Sequence, residues 1–156
     1  MNKCFVCNKK LSENILDLGL SPIANNLESN IIQSQNAKKY PLNLSICRSN
    51  CNHVQISEIV DQKEIFNNYF YMPSVSKTLT NHLKEISNDI KKKYKVNNNS
   101  LIVDIGSNDG TFLNFFARKR KDLSLFGMDP SSDKFADYYN KRINLIPDYF
   151  SKKKLD

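Results

Sequence analysis

The sequence predicts an α/β protein in three segments: a small β-hairpin domain at residues 1–60, a helical connector at 61–99, and the first half of a doubly wound parallel sheet at 100–156. Three observations predict this fold class. Apolar residues alternate on both sides of a cysteine-containing turn. They recur at helical spacing in the middle of the chain, and near its end they form short runs separated by a helical pattern.

The first segment contains two candidate strands. Apolar residues alternate in LNLSI (42–46), and the alternation resumes in HVQI (53–56), which is the period of a half-buried strand. The turn CRSNC lies between them, so the two strands are expected to form a hairpin.

The connector begins with a short helix in DQKEIF, which Asp61 caps and Glu64 supports three residues later. An aromatic run, NNYFYMPS, follows, and Pro73 interrupts it. Apolar residues then recur at helical spacing, which predicts an amphipathic helix from about residue 76 to 94. The recurring apolar residues are Leu79, Leu83, Ile86 and Ile90.

The last segment has the pattern strand, helix, strand. LIVDI (101–105) and LSLFGMD (123–129) are apolar enough to be strands buried on both faces, and TFLNFFARKRK (111–121) is a helix between them. KFADYYNKR (134–142) is then predicted as a helix and INLIP (143–147) as a third strand. This order is typical of the opening half of a doubly wound sheet. The side chains expected to point inward from the first of these helices are Phe112, Leu113, Phe115 and Phe116.

Composition restricts the class of protein. The chain has 156 residues, enough for one ordinary domain or two small ones, and its 40% apolar and 25% charged residues are typical of a soluble globular protein. No run approaches the roughly 20 apolar residues of a membrane span, and the amino terminus lacks the apolar core of a secretory signal. We therefore expect a cytoplasmic protein with no membrane partner.

The net charge of +7 would suit a nucleic-acid partner. The basic clusters, however, lie apart from one another at 91–95, 118–121 and 152–154, and the first two coincide with predicted helix ends, where cations complement the helix dipole. No base-stacking aromatic box accompanies them. The charge pattern therefore favours solvated helix ends and argues against nucleic acid.

The turn after the first strand of the last segment has the spacing Asp104-x-Gly106-x-x-x-Gly110. Such a turn points backbone N–H groups at a ligand, and glycine lets the ligand approach closely. Asn108 stands where the dinucleotide fingerprint has its middle glycine, which disfavours a pyrophosphate. Asp129 lies at the end of the second predicted strand, where an acid binds ribose hydroxyls. The pattern predicts a site for an adenosine-containing ligand; a turn that only packs the helix on the sheet is the alternative.

All four cysteines lie in two close pairs, Cys4 with Cys7 and Cys47 with Cys51. Two such pairs supply four thiolates for a tetrahedral zinc ion, and this zinc would be structural because four thiolates leave no position for water. A disulfide framework or a redox site is less consistent with the absence of a signal peptide and with a cysteine so near the terminus. Free buried thiols, or His53 in place of one cysteine, stay open.

The order of these segments resembles that of the sugar C-methyltransferases, which act on nucleotide-linked 4-keto-deoxysugars. The segments that carry the resemblance are CFVC, LDLGLSPIANNL, YPLNLSIC, CNHVQI, IFNNYFYMPSVS, VDIGSNDGTFL, GMDPS and DYF. The resemblance implies a zinc domain followed by a Rossmann-like, class I methyltransferase domain that uses S-adenosylmethionine. It also implies the chemistry: a proton is removed next to a ketone, and the enolate carbon takes the methyl group.

The resemblance also implies residue roles. Asp104 and the two glycines of the turn would bind the methionine end of the cofactor, and Asp129 the ribose. Tyr69 and Tyr71 match aromatic residues near cofactor and sugar, although an aromatic packing cluster between domains is the alternative. The full set of implied cofactor-binding residues is Asp104, Gly106, Ser107, Asn108, Gly110 and Asp129, and the implied zinc ligands are Cys4, Cys7, Cys47 and Cys51.

Two departures from the family pattern matter. The second cysteine pair has three intervening residues where the family usually has two. The family's sheet has seven strands, of which three are predicted here, and its general base would lie outside these residues. We therefore expect a truncated chain that alone binds S-adenosylmethionine weakly or not at all and transfers no methyl group. A nucleic-acid methyltransferase and a non-catalytic zinc-binding interaction module are the alternative functions.

Overall fold

A computed structural model describes residues 3–49, 51–66, 69–97, 99–118 and 122–151. The chain forms two compact units, residues 1–69 and 70–156, and the predicted α/β class is confirmed. The predicted domain boundaries after residues 60 and 99 stay predictions. The basic residues at 119–121 and 152–154 lie outside the described residues.

The first unit is built on an antiparallel sheet with the strand order β1–β2–β3. The predicted hairpin is confirmed, since Leu44 lies opposite Ile56 and Ile46 opposite Val54. Its elements are β1 (Glu13–Pro22), α1 (Ile31–Gln35), β2 (Lys39–Ile46), β3 (Val54–Ile56) and α2 (Gln62–Phe66).

Strand β1 is an addition to the predicted hairpin. Its pairing with β2 is irregular, with register shifts after Asn14 and Asp17. Gly19 has a φ of +75° and donates its N–H to the Asp17 carboxylate at 2.7 Å. Leu16, Leu18 and Leu20 alternate with polar residues and glycine along the strand, yet nearly every residue of the strand is exposed, so neither of its faces is buried.

The buried centre of the first unit is its cysteine cluster. Cys4, Leu11 and Cys47 are buried, and the two remaining cysteines pack against them. Large apolar side chains elsewhere in the unit stay exposed, including Leu18 and Leu20. This unit therefore has little apolar core apart from its sulfur atoms, and a bound metal ion would be a large part of its stability.

Helix α2 forms where it was predicted, but its capping differs. Asp61 caps it by accepting the N–H of Lys63 at 2.8 Å. Glu64 does not complete a capping box; its carboxylate instead accepts bonds from Lys38 Nζ, at 3.1 Å, and from the Tyr40 hydroxyl. A cation just before β2 and a phenol within β2 compete successfully with the helix end for this carboxylate.

The second unit contains a parallel sheet with the order β4–β5–β6, so the predicted strand–helix–strand pattern and third strand are confirmed. Helix α3 agrees with the predicted range, because the Ser76 hydroxyl caps it and Tyr94 ends it. The elements are α3 (Lys77–Lys93), β4 (Leu101–Ile105), α4 (Thr111–Ala117), β5 (Ser124–Met128) and β6 (Ile143–Ile146).

The helix predicted over residues 134–142 is wrong. A 3₁₀ helix, Ser132–Tyr138, takes its place and begins earlier because the Ser132 hydroxyl donates to the Asp129 carbonyl at 2.7 Å. It ends early because the N–H of Asn140 binds the side chain of Asn114 at 2.8 Å, which leads the chain into β6.

The core of the second unit lies between the sheet and α3 and α4. Leu113, Phe116 and Leu125 are fully buried, whereas Phe112 and Phe115 are only half-buried. The prediction that LIVDI is buried on both faces is wrong. Ile102 packs on the core, but Leu101, Val103 and Ile105 point away from the helices and are 62%, 36% and 56% exposed.

The basic cluster at the end of α3 is partly used in packing. Lys91 donates to the Phe115 carbonyl at 2.8 Å, and its Nζ lies 4.5 Å from the centre of the Phe116 ring. In the part of the chain that the structure describes, no helix is long and apolar enough to cross a membrane. The cytoplasmic location and the exclusion of membrane and nucleic-acid partners stay predictions.

Candidate functional site

The two cysteine pairs meet in one cluster. The Sγ atoms of Cys7 and Cys47 and those of Cys7 and Cys51 are 3.5 Å apart, and those of Cys4 and Cys51 are 3.6 Å apart. All four sulfurs lie within 4.8 Å of one another, and all four thiols are free of disulfide bonds.

These distances fit a zinc ion. Four sulfurs at about 2.3 Å from one tetrahedral zinc lie about 3.8 Å apart, close to the observed spacings. Among the described residues, the metal-compatible group consists of the four cysteines without His53. The donor set and its spacing therefore fit structural zinc.

The extra residue in the second cysteine turn does not change how that turn ends. The residue after each pair is an asparagine with positive φ, Asn8 at 59° and Asn52 at 48°. Each turn is also closed by a backbone bond from its first cysteine, Cys4 N to Lys9 O at 2.8 Å and Cys47 N to His53 O at 2.9 Å. Each turn therefore contributes two thiols to the one cluster, although the two turns differ in length.

The thiols of the cluster differ in acidity. A hydrogen bond from the Lys9 backbone lowers the pKa of Cys7 to about 6. The His53 backbone favours the thiolate of Cys51, but burial and the neighbouring cysteines raise the pKa of Cys51 to about 12. Thiolates in one cluster repel one another, so a divalent ion is needed to hold all four sulfurs ionised.

The glycine turn lies at the carboxyl end of β4. Gly106 has a φ of +80°, and a Cβ atom built on it would meet nothing within 4 Å, so its backbone is open to a ligand. Gly110 also has positive φ, but its close neighbour is protein: a Cβ there would lie 2.6 Å from the Tyr139 ring. Only the first glycine of the motif therefore leaves room for a ligand.

The turn was predicted to point its backbone N–H groups at a ligand, but these groups bind the protein instead. Gly106 and Ser107 donate to the Met128 carbonyl at 2.8 and 3.4 Å, Asn108 donates to the Asp129 carboxylate at 3.0 Å, and Gly110 donates to the Ser107 carbonyl at 2.8 Å. The turn uses these donors to bind the neighbouring strand and itself. It is therefore not built as a phosphate cradle.

The turn instead presents hydrogen-bond acceptors. Asn108 is 8% exposed with a φ of +46°, and its amide nitrogen donates to the Tyr71 carbonyl at 2.8 Å. Its Oδ1 is buried and has no hydrogen-bond partner within the described ranges. A buried acceptor without a partner costs about 1–3 kcal/mol, so this atom suits a ligand that donates.

Asp104 is the second acceptor. It lines a cleft of about 300 Å³ together with the turn and the apolar side of α3. Burial first, and the negative charge of Asp129 second, raise the pKa of Asp104 to about 6. The cleft is lined by Pro73, Leu83, Ile86, Asp104, Gly106, Ser107, Asn108, Asp109, Thr111 and Phe112.

Asp129 and Asp109 are buried carboxylates that organise the turn. Asp129 accepts the Asn108 N–H and both the N–H and the hydroxyl of Ser131, at 2.6 to 3.0 Å. Asp109 lies just before α4 and accepts the Thr111 N–H at 3.0 Å and the Ser74 N–H at 2.9 Å. Three protein donors already bind Asp129, so a ribose would have to share its carboxylate.

The two candidate tyrosines differ in their contacts. The carbonyl of Tyr71 is bound to the turn through Asn108, and its side chain is 38% exposed. Tyr69 belongs to the first unit, where its ring packs edge-on against Phe66 at 5.7 Å. The contact of Tyr69 is that of a packing residue, and the proposed active-site role of both tyrosines stays a prediction.

Two residues of the site were missed. Tyr139 contacts the turn through its ring and its hydroxyl, and Gly127 of β5 makes room for it. A glycine inside an otherwise apolar strand was the available signal, since such a residue often marks a close approach.

Two comparisons with known proteins bear on this site. Residues 4–66, which contain all four cysteines, match a family model described as "Putative zinc binding domain". The chain is 21% identical over 151 residues to the C-methyltransferase NovU of Streptomyces niveus, and the alignment covers 97% of this chain and 35% of that protein. The chain thus spans about a third of the length of the curated relative it matches. The first match supports zinc binding by residues 4–66, and the second makes the chain similar to a C-methyltransferase.

Proposed function

We propose that this chain carries the zinc site and the cofactor turn of an S-adenosylmethionine-dependent enzyme that methylates carbon in a nucleotide-linked 4-keto-deoxysugar. The single observation that carries the proposal is the acceptor-lined cleft beside Gly106, in a chain that aligns along 97% of its length with a C-methyltransferase. The sugar substrate rests on the sequence resemblance.

The cleft is chemically complementary to this cofactor. S-adenosylmethionine carries an ammonium group and a sulfonium centre, so it brings positive charge and N–H donors. The cleft offers the Asp104 carboxylate and the Asn108 Oδ1, which has no partner among the residues that the structure describes, while several turn N–H groups are already bonded within the protein. Charge-assisted bonds of this kind are about twice as strong as neutral ones. A polyphosphate ligand would be repelled by the same carboxylate.

The chain's own residues would bind and orient the cofactor. Gly106 would allow close approach, Asp104 would face the positive charge, and Asn108 would accept a hydrogen bond, while apolar α3 side chains exclude water from one wall. When bound, S-adenosylmethionine supplies an electrophilic methyl group. The enolate step implied by the resemblance needs a general base, and no residue of this chain is assigned that role.

Zinc would take no direct part in this chemistry. A shell of four thiolates has no open position, so the ion would hold the first unit together and would activate neither water nor substrate. Because that unit buries few apolar side chains, its folding would be coupled to metal binding.

The cofactor half of the proposal is tested by NMR titration of the chain with S-adenosylmethionine, which detects weak as well as strong binding. Of the two outcomes expected from the sequence, weak binding or none, the cleft favours weak but saturable binding. The amides of residues 104–110 should shift, and binding should be about tenfold weaker in Asp104→Asn. Asp137→Asn, which neutralises an exposed acid, is the matched control. Shifts that never saturate, or equal affinity in Asp104→Asn and the wild type, would overturn the cofactor assignment.

The substrate half is tested by transfer of a radiolabelled methyl group to a dTDP-4-keto-6-deoxyhexose. With the 156-residue chain alone we predict no transfer, because the resemblance places the general base outside these residues. Robust turnover by this chain would mean that the base lies within it.

A further inference from the structure

Tyr139 lies outside every motif of the sequence, yet its side chain contacts the glycine turn. Its hydroxyl donates to the Asn108 carbonyl at 2.6 Å and lies 2.8 Å from the Ser107 Oγ. The residue is 8% exposed, and it contacts the turn at two successive residues.

Two of the chain's four glycines make room for this ring. A Cβ atom on Gly110 would lie 2.6 Å from the ring, and one on Gly127 would lie 3.0 Å from the ring and 2.9 Å from the Ser107 Oγ. Distances below 3.0 Å are steric overlap, so a larger residue at Gly110 would displace the ring. Gly110 is thus required by Tyr139 as well as by its own positive φ.

The hydrogen bonds of Tyr139 have a defined direction. Since its O–H donates to the Asn108 carbonyl, its oxygen accepts from the Ser107 hydroxyl. Burial raises the pKa of Tyr139, so it remains a neutral donor across the physiological range. The Ser107 proton is therefore turned toward the tyrosine and away from the cleft.

Tyr139 completes the restraint of Asn108. The N–H of Asn108 binds Asp129, its side-chain amide binds the Tyr71 carbonyl, and its own carbonyl binds Tyr139. With these three groups held, Oδ1 is the polar atom of the residue without a partner among the described residues.

We propose that Tyr139 is a positioning residue: it fixes the peptide groups of Ser107 and Asn108, and so holds the turn in its ligand-binding geometry before the ligand arrives. The identity of the ligand rests on the proposed function, but the restraint of the turn does not. A turn fixed in advance loses less conformational freedom on binding, which raises affinity.

The experiment deletes one hydroxyl and leaves the ring. In Tyr139→Phe of the 156-residue chain, we expect hydrogen exchange of the amides at 106–110 to rise about five- to tenfold, the effect of losing one hydrogen bond of ordinary strength. The amide of Leu113, in the adjoining helix core, should be unchanged. Tyr138→Phe makes the same deletion at a neighbouring residue that is 54% exposed. This control should change neither the exchange at 106–110 nor that at Leu113. Unchanged exchange at 106–110, or an equal rise at Leu113, would overturn the positioning role.

A ligand measurement separates this inference from the proposed function. At a temperature where all variants are folded, Tyr139→Phe should bind S-adenosylmethionine about five- to tenfold more weakly than Tyr138→Phe. If exchange rises locally but even the wild type does not bind, the positioning role stands and the proposed cofactor fails. If the wild type binds and Tyr139→Phe binds equally well, the positioning role fails. If Tyr139→Phe does not fold, Ser107→Ala takes its place in both measurements. This variant removes the hydrogen bond between the Ser107 and Tyr139 hydroxyls.

Discussion

The carboxyl group of Asp104 should make the second unit less stable as the pH rises. Burial, and to a smaller extent the charge of Asp129, raise its pKa from 3.8 to about 6. The folded protein therefore binds the Asp104 proton more tightly than the unfolded chain does. The contribution of this proton to the free energy of unfolding is fully present below the unfolded pKa near 4, and it is lost as the pH rises through about 6. A shift of two units at about 1.4 kcal/mol per unit corresponds to at most about 3 kcal/mol.

The variant Asp104→Asn isolates this effect, because it keeps the shape of the side chain and removes its titration. Urea denaturation, followed through NMR signals of second-unit core residues such as Leu113 and Leu125, should give similar stabilities for variant and wild type near pH 4. Near pH 7.5 the variant should be more stable by up to about 3 kcal/mol. The control Asp137→Asn should keep the pH dependence of the wild type. A parallel pH dependence in Asp104→Asn and the wild type would refute this reasoning.

The same carboxyl group links stability to binding. An ionised Asp104 destabilises the free protein but attracts a cationic ligand, so the affinity for S-adenosylmethionine should rise between pH 5 and 7 in the wild type. The affinity of Asp104→Asn should not change over this pH range. Calorimetric or NMR titrations at three pH values would measure both slopes, and equal slopes would exclude a charge contact between this acid and the ligand.

Cys47→Ser should reduce the metal content from about one zinc ion per chain and unfold the first unit, as measured by atomic absorption and circular dichroism; retained metal with unchanged stability would contradict the site. Asp129→Ala removes the acceptor of three hydrogen bonds and should weaken cofactor binding about ten- to a hundredfold, and an unchanged dissociation constant would count against its role. Gly110→Ala places a Cβ atom 2.6 Å from Tyr139 at a φ of +71°, and should lower the free energy of unfolding by about 1–3 kcal/mol in urea denaturation. Wild-type stability in that variant would show that the ring can move.

Local signals accounted for the elements that were predicted well. Helix α3 has the predicted bounds because a serine hydroxyl caps it and its apolar stripe has one period throughout. The cysteine cluster was predictable for a similar reason: each pair is local in sequence, and the hairpin next to the second pair defines where that pair lies.

The predictions were wrong where groups that are far apart in the sequence compete for the same hydrogen-bonding atom. Glu64 was expected at a helix end but binds Lys38 and Tyr40, which lie more than twenty residues earlier. The predicted helix after β5 became a 3₁₀ helix because Asp129 and Asn114 bind its two ends. Neither competitor is visible in the local pattern that produced the prediction.

The sequence by itself determined the hairpin of β2 and β3, helix α3, the strand–helix–strand order of the last segment, the two cysteine pairs and the position of the glycine turn, since these depend on residue types at short, fixed spacings. Only the tertiary structure decided what the turn presents. Its N–H groups bind Met128 and Asp129, and the ring of Tyr139 occupies the space beside Gly110. The physical reason is that a backbone donor can serve either a ligand or a neighbouring strand, and the pairing of β4 with β5 decides which. The turn therefore offers acceptors to its cleft, a property that the spacing of its glycines does not encode.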